Sequence, residues 1–340
     1  MPKTRSGIYD TLRVLGDLMK DFMNNFWQQL EKPFFILAPM EAVTDVVFRH
    51  VVEKAGRPDV YFSEFTNATG WTHAGDKAIG GRLVKTDDER PIVAQLWGAD
   101  PESMTKMAKH CKELGYDGID INMGCPDASA VKSGGGAGMI RTPDLAYEMI
   151  SAARTSGLPV SVKTRLGYSR TDEWREWLGG LLAQNLPVLT IHLRTKKEMS
   201  KVPAHYELIP EIVALKNQIS PETLLVINGD IRDRSHGMEL FRQYGVDGVM
   251  IGRGIFADPF CFSEQPPVDD KSDKKQILIN LLHFHLDQYD KYSHLTKRPY
   301  DTLKRFYKIY IRDFDGAAEM RDKLMHTKST DDVRAILREK

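Results

Sequence analysis

Between Pro33 and Phe262, short β-rich apolar runs return at regular intervals, separated by stretches of helical periodicity. Eight runs read as strands: 34–39, 60–64, 92–97, 118–122, 160–164, 188–192, 224–228 and 248–251. Helical segments at 44–55, 101–114, 143–156, 172–185, 206–218 and 234–244 fall between most of them. Thr142-Pro143 puts proline in a first helical turn, and Gly115 and Gly157 sit at helix ends. Eight strand–helix units in about 230 residues predict the α/β class and a (β/α)8 TIM barrel. A doubly wound sheet is the alternative, but it usually has fewer strands and a GxGxxG turn after the first, which this chain lacks.

The strand ends carry the chemistry. The first run ends on Pro39-Met40, the third holds Gln95, and the fourth leads into Asn122-Met-Gly-Cys125-Pro126. The fifth carries Lys163 and Arg165, the sixth His192 and Arg194, the seventh Asn228-Gly229-Asp230, and the eighth Gly252-Arg253. One polar residue at a strand's C-terminal end is ordinarily a satisfied rim residue. Seven strands in succession predict one shared pocket, because catalytic groups gather at that face of a barrel.

Length and charge add a second unit. The 340 residues exceed what the barrel needs. Around 263–272 the chain turns polar and proline-bearing, and beyond it every segment is helical in pattern, at 274–290, 300–312, 315–326 and 330–338. The expected division is an N-terminal helical extension (1–32), a barrel (33–263) and a small all-helical C-terminal domain (264–340). Residues 8–30 have helical spacing and are expected to pack on the outside of the core; Met23 is an alternative start. Lys+Arg and Asp+Glu number 47 each, which argues against a nucleic-acid binder that uses its whole surface. Residues 271–340, however, hold 16 Lys+Arg against 11 Asp+Glu, leaving 31 against 36 in residues 1–270. A basic tail hints at a polyanionic partner; a solvated helical surface explains the count equally well. No run approaches the roughly 18 apolar residues of a membrane span. No secretory leader is evident, and Cys111, Cys125 and Cys261 form no CxxC pair. A cytoplasmic location without membrane, disulfide framework or metal is therefore expected.

Asn228-Gly-Asp230 and Gly252-Arg253-Gly254 follow the last two strands, where barrels often bind phosphate; two tight turns are the plainer reading. Lys163 on a buried strand needs an anionic partner, which the N1/C2 edge of a reduced flavin would supply. Gln95 can both donate to and accept from such a ring edge. His192 could face phosphate or ring. Ser133-Gly-Gly-Gly-Ala-Gly138 lacks the Gly-Lys-Ser/Thr of a Walker loop and reads as a mobile lid. Cys125, flanked by Gly124 and Pro126, could be a nucleophile or a general acid. The acid role is preferred, since no partner set for a nucleophile is evident.

Taken in order, these motifs resemble the dihydrouridine synthases, flavoenzymes that reduce uridines in transfer RNA. The similarity runs from Pro33 to the C-terminus. It is carried by Ala38-Pro-Met-Glu-Ala-Val-Thr44-Asp45 with Phe48-Arg49, Asn122-x-Gly-Cys125-Pro126, and Val162-Lys163-x-Arg165-x-Gly167. His192-x-Arg194-Thr195, Asn228-Gly-Asp230-Ile, Ile251-Gly-Arg253-Gly, Gly316-Ala-Ala-Glu-Met-Arg321 and Ser329-Thr-Asp-Asp follow. The resemblance implies FMN across the barrel mouth, with Pro39, Met40 and Glu41 on its ring and Gln95 and Lys163 on its polar edge. His192, Asn228, Gly229, Asp230, Gly252 and Arg253 would hold its phosphate end. NADPH would reduce the flavin, hydride would pass from N5 to uracil C6, and Cys125 would protonate C5. Asn122 and Arg194 would grip the uracil carbonyls. The helical domain would bind tRNA, with ribosomal RNA as the other candidate, through Lys304 and Arg305 together with Lys297, Arg298, Lys308 and Arg312. A monomer is expected. Two rivals remain: an FMN-dependent dehydrogenase of a free pyrimidine, such as dihydroorotate or dihydropyrimidine, and a non-catalytic RNA-binding protein.

Overall fold

A computed structural model describes residues 25–267 and 271–338. All strand pairings are parallel, in a sheet of strands β1 (Phe34–Leu37), β2 (Tyr61–Phe62), β3 (Thr66–Asn67), β4 (Ile92–Trp97), β5 (Gly118–Met123), β6 (Val160–Arg165), β7 (Val188–His192), β8 (Leu224–Asn228) and β9 (Gly248–Ile251). The order is β1-β9-β8-β7-β6-β5-β4-β2, with β3 on β4. A parallel bridge between Ile36 and Val60 joins the two ends, and the Leu37 N–H donates to the Val60 carbonyl (3.2 Å). The architecture is a (β/α)8 barrel followed by a C-terminal helical region.

Side chains alternate along each strand, so the barrel has two cores. Phe35, Leu37, Ile119, Ile121, Ile191, Ile227 and Ile251 face the surrounding helices. Phe34, Ile36, Phe62, Val93, Val188, Leu224, Val226 and Met250 fill the lower interior. Toward the C-terminal rim the inward residues change to Gln95, Asp120, Asn122, Ser161, Lys163, Arg165, Thr190 and His192. An apolar floor beneath a polar rim is what places a site at this end.

Before β4, three expectations differ from the structure. Most of the 8–30 helix, and the Met23 start, lie outside the described residues. The described part is a 3₁₀ turn, Phe26–Gln29, capped by the Asn25 side chain. Its Trp27 is buried with the lower interior, its ring 5.9 Å from that of Phe34 and 6.4 Å from that of Phe62, rather than lying outside the core. The second strand, expected at 60–64, is only Tyr61–Phe62; Glu64 turns into a buried ion pair, and a further short strand follows at Thr66–Asn67. The segment before β4 also contains helices, Ala68–Ala74 and Asp76–Ile79, that the pattern left unassigned.

In the C-terminal region, Lys271–Thr296 forms a long helix packed along Val46–Ala55. The expected helix at 300–312 is a 3₁₀ segment, Tyr300–Phe306, followed by the short helix Tyr307–Tyr310. Ala317–Met325 and Thr330–Arg338 complete the region. Phe306 stacks on Phe48 at 4.6 Å, so the region is seated on the barrel through aromatic contact. Among the described residues, no helix is long and apolar enough to cross a membrane.

Candidate active site

The rim of the barrel opens into a cavity of about 640 Å³, within the usual range for a cofactor-sized ligand. Ala38, Pro39 and Met40 follow β1; Lys163 and Arg165 end β6; His192 ends β7. Asn228 ends β8, with Gly229 and Asp230 after it, and Gly252, Arg253 and Gly254 follow β9. Strand register brings them together, pairing Asn122 with Lys163, Arg165 with His192, and His192 with Asn228.

The walls carry Lys163, Arg165, Arg232 and Arg253 against Asp230, Asp233 and Asp258, and Arg253 pairs with Asp230 (3.1 Å). Lys163 Nζ has no hydrogen-bond or ion-pair partner among the described residues, and burial together with Arg165 lowers its pKa to about 8. Arg165 is fixed by Nε to the Gly124 carbonyl (2.7 Å) and Nη1 to the carbonyls of Thr195 and Met199 (3.1 and 2.9 Å). Burial lowers its pKa to about 10, so it stays charged at neutral pH. His192 is held well below its ordinary value by burial and by the surrounding Arg165, Lys163, Arg194 and Arg253, and is neutral. Its Nε2 lies 3.2 Å from Arg194 Nη1, which can only donate, so the ring proton sits on Nδ1. Lys163 and Arg165, with no carboxylate bonded to them, are the cations available to an anionic ligand.

Glycines permit a ligand's close approach. A Cβ on Gly252 would stand 3.4 Å from Ala38 Cβ and 3.9 Å from Met40 Sδ, in space the cavity uses. A Cβ on Gly254 would lie 2.2 Å from the Arg232 carbonyl oxygen. Gly254→Ala is therefore expected to displace the loops after β8 and β9 and cost about 1–3 kcal/mol. Urea unfolding checks this; an unchanged midpoint would contradict it.

Cys125 lines an adjoining cavity of about 360 Å³ with Glu41, Phe65, Asn67, Arg82, Trp97 and Asp127. Its loop is shaped by Asn122, whose Oδ1 accepts the N–H groups of Gly124 (3.1 Å) and Cys125 (2.8 Å). Asn122 Nδ2 donates to Gln95 Oε1 (3.0 Å), Gln95 Nε2 donates to Asp120 (2.7 Å), and Ser161 donates to the same carboxylate (2.7 Å). Burial raises the Asp120 pKa to about 6. Burial also pushes the Cys125 thiol up, so it is protonated at neutral pH.

Pro39, Met40, Lys163, His192, Asn228, Gly229, Asp230, Gly252 and Arg253 thus share one cavity, and Glu41 and Cys125 the next. Gln95 is fully buried and spends its amide on Asn122 and Asp120. Arg194, expected on a uracil carbonyl, has protein partners for its donors. It is 2 % exposed and occupied by Asp230, the Val202 carbonyl (2.6 Å) and His192, because a buried guanidinium must satisfy its donors within the protein. Arg298 is likewise turned inward to Glu64 instead of facing a polyanion. Lys304, Arg305 and Lys308 line a separate cavity of about 480 Å³ with Tyr307 and Arg321. The supposed glycine lid is packed under the cysteine loop: Gly136–Ile140 are buried, and the Ala137 N–H donates to the Cys125 carbonyl (2.9 Å). A Cβ on Gly136 would meet that carbonyl at 2.7 Å, so the glycines serve close approach. Sequence reasoning missed Arg165 as a site residue, although two-residue spacing from Lys163 puts both on one face of β6. Asp120 had the same signal relative to Asn122; Glu64, Arg82 and Arg232 had none.

A family model described as dihydrouridine synthase matches residues 36–340. The chain is 57% identical over 314 residues to the probable tRNA-dihydrouridine synthase 2 of Bacillus subtilis, covering 92% of this chain and 95% of the relative. Probable tRNA-dihydrouridine synthases of Staphylococcus epidermidis and Staphylococcus aureus are each 51% identical, covering 92% and 93% of this chain and 95% of each relative.

Proposed function

The chain belongs to the dihydrouridine synthase family, and from that footing we propose that it reduces the C5=C6 bond of uridines in tRNA, with FMN as cofactor and NADPH as reductant. The observation that carries this reading is that the barrel rim holds Lys163, with no hydrogen-bond or ion-pair partner among the described residues, in one cavity and Cys125, in the loop after β5, in a second.

The residues present fit FMN: cations for its phosphate and ring edge, and glycines where a flat group must lie close. Pro39 and Met40 would lie against the ring, with Glu41 at its margin. Lys163 would face the polar N1/C2 edge, with the second Gln95 amide hydrogen nearby. His192, Asn228, Gly229, Asp230, Gly252 and Arg253 would hold the ribityl phosphate, with Arg165 adding charge from below. When bound and reduced by NADPH, the flavin supplies the hydride that uracil C6 receives. Cys125 gives its proton to C5, the thiolate left behind regains one from solvent, and the hydride and proton together saturate the bond. Asn122 has one amide hydrogen left for a uracil carbonyl, and Trp97 and Phe65 give the base apolar walls. The base has to leave the RNA stack to arrive here. The C-terminal helical region, from about 264, would track phosphates through Lys304, Arg305 and Lys308. A reducing cytoplasm would keep Cys125 as a thiol.

Lys163 gives this reading a pH signature. An anionic ligand raises its pKa above the free value of about 8, so affinity is full below pH 8 and declines as pH rises past it. FMN titrations from neutral to alkaline pH should show this fall in wild type and a flatter profile in Lys163→Ala. The direct test reduces the FMN-loaded protein with NADPH, then adds unmodified or fully modified tRNA without oxygen. Reoxidation by the unmodified RNA alone is expected. Reoxidation by a free pyrimidine but not by RNA would replace this reading with the small-substrate one.

A further inference from the structure

The Pro39–Thr44 loop carries the residues placed against the flavin, yet part of its support comes from the far end of the chain. Ala42 sits at φ 56°, a conformation that residues with a Cβ rarely adopt. Both of its backbone polar groups are pinned. Its N–H donates to Glu64 Oε1, and its carbonyl accepts from Arg305 Nη1 (3.0 Å). Glu64 is fully buried, and Arg298 Nη2 lies 2.7 and 2.8 Å from its two oxygens. Arg298 is held in turn, its carbonyl accepting from Tyr289 Oη (2.8 Å).

Two more contacts join the same segments. Gly81 lies so close to Thr296 that a Cβ there would come within 2.2 Å of Thr296 Cα. The neighbouring Arg82 pairs with Glu41. The loop is also held by its own turn, in which the Met40 N–H donates to Thr44 Oγ1 (2.9 Å) and the Val43 and Thr44 N–H groups to the Met40 carbonyl (both 3.1 Å), and by Arg49 Nη1, which donates to the Thr44 carbonyl (2.8 Å).

We infer that Glu64 and Arg298 are positioning residues that hold the Pro39–Thr44 loop in its flavin-binding shape, with Arg305 as a lesser clamp, so that the C-terminal helical region completes the cofactor site as well as meeting RNA. The inference rests on the flavin reading above. Burial explains why the pair cannot be loosened cheaply. Glu64 has its pKa raised by desolvation and lowered by Arg298, and loss of the guanidinium leaves a buried carboxylate without its cation. A loop released from its clamp must be re-ordered each time the cofactor binds, which weakens binding without removing any ligand contact.

The test uses the full chain stripped of FMN, in Arg298→Ala, Arg298→Lys and Arg305→Ala forms. FMN affinity is measured by fluorescence, and hydrogen exchange is followed across residues 39–45. Arg298→Ala is expected to bind FMN about tenfold or more weakly, with faster exchange at Ala42. Arg298→Lys, which keeps the charge, should recover much of the affinity, and Arg305→Ala, on an exposed side chain, should lose about threefold. If Arg298→Ala does not fold, the other two carry the test. Folded variants that bind FMN within about twofold of wild type and keep Ala42 protected would overturn the inference. Wild-type protein that takes up no FMN would instead overturn the flavin reading, and exchange at Ala42 would then judge the clamp alone.

Discussion

Cys125→Ala should form dihydrouridine about 10²- to 10⁴-fold more slowly than wild type, while still binding FMN and accepting electrons from NADPH. The loss is expected on one step because the loop around Cys125 is held by its backbone rather than by its sulfur. Its backbone N–H goes to Asn122 Oδ1 and its carbonyl accepts from Ala137, so the loop keeps its shape without the sulfur. Burial raises the thiol's pKa, so at neutral pH it holds the proton that the proposed step would give to C5. The sign follows: the protonated form persists past the ordinary cysteine value, and turnover declines only as pH rises through the raised one. Cys125→Ser, a weaker acid of similar size, should fall between the two. Normal product formation by the alanine variant would falsify the acid assignment and leave solvent as the proton source.

Arg49→Ala should destabilise the fold by about 3–5 kcal/mol, the usual cost of removing one partner from a buried ion pair. Arg49 and Glu89 are both fully buried, with Nε to Oε1 at 2.6 Å and Nη2 to Oε2 at 3.1 Å. The same guanidinium also donates to the carbonyls of Thr44 and Val84 (2.8 Å each), tying the helix Val46–Ala55 to the Pro39–Thr44 loop and to the segment before β4. Glu89 in turn accepts the Thr86 N–H (2.8 Å). Removing the cation leaves the carboxylate stranded and two carbonyls unpaired. Replacing both charges by apolar residues, Arg49→Met with Glu89→Leu, should cost less than either truncation alone. Urea unfolding of the three variants checks the ordering; a single truncation within about 1 kcal/mol of wild type would contradict it.

The barrel was legible because its signals are local. β4, β7, β8 and β9 fall on the expected residues, since apolar runs bounded by turn residues have few other uses. The Cys125 loop was equally visible, as Gly124 and Pro126 break the chain beside the strand that aims it. What escaped depends on partners distant in sequence. Glu64 in a β-rich run gives no hint of Arg298, 234 positions away, so a strand was drawn through it and its partner was assigned to RNA. The pairing of Arg194 with Asp230, 36 positions on, was hidden for the same reason. The Ser133–Gly138 run misled differently. Glycine allows both mobility and close approach, and only the nearness of the Cys125 carbonyl shows which is used here. At 300–312 the helical pattern was right in kind, but the chain tightens into a 3₁₀ segment while burying Leu303 and Phe306.

The central claim is that this chain reduces uridines in tRNA. The most direct measurement is a mass-spectrometric map of every uridine in the tRNA of the native organism, with the gene present, deleted and restored. The account predicts that one or more defined uridines lose two hydrogens on deletion and regain them with the wild-type gene but not with Cys125→Ala. A tRNA map unchanged by deletion, in cells lacking any related enzyme, would contradict it.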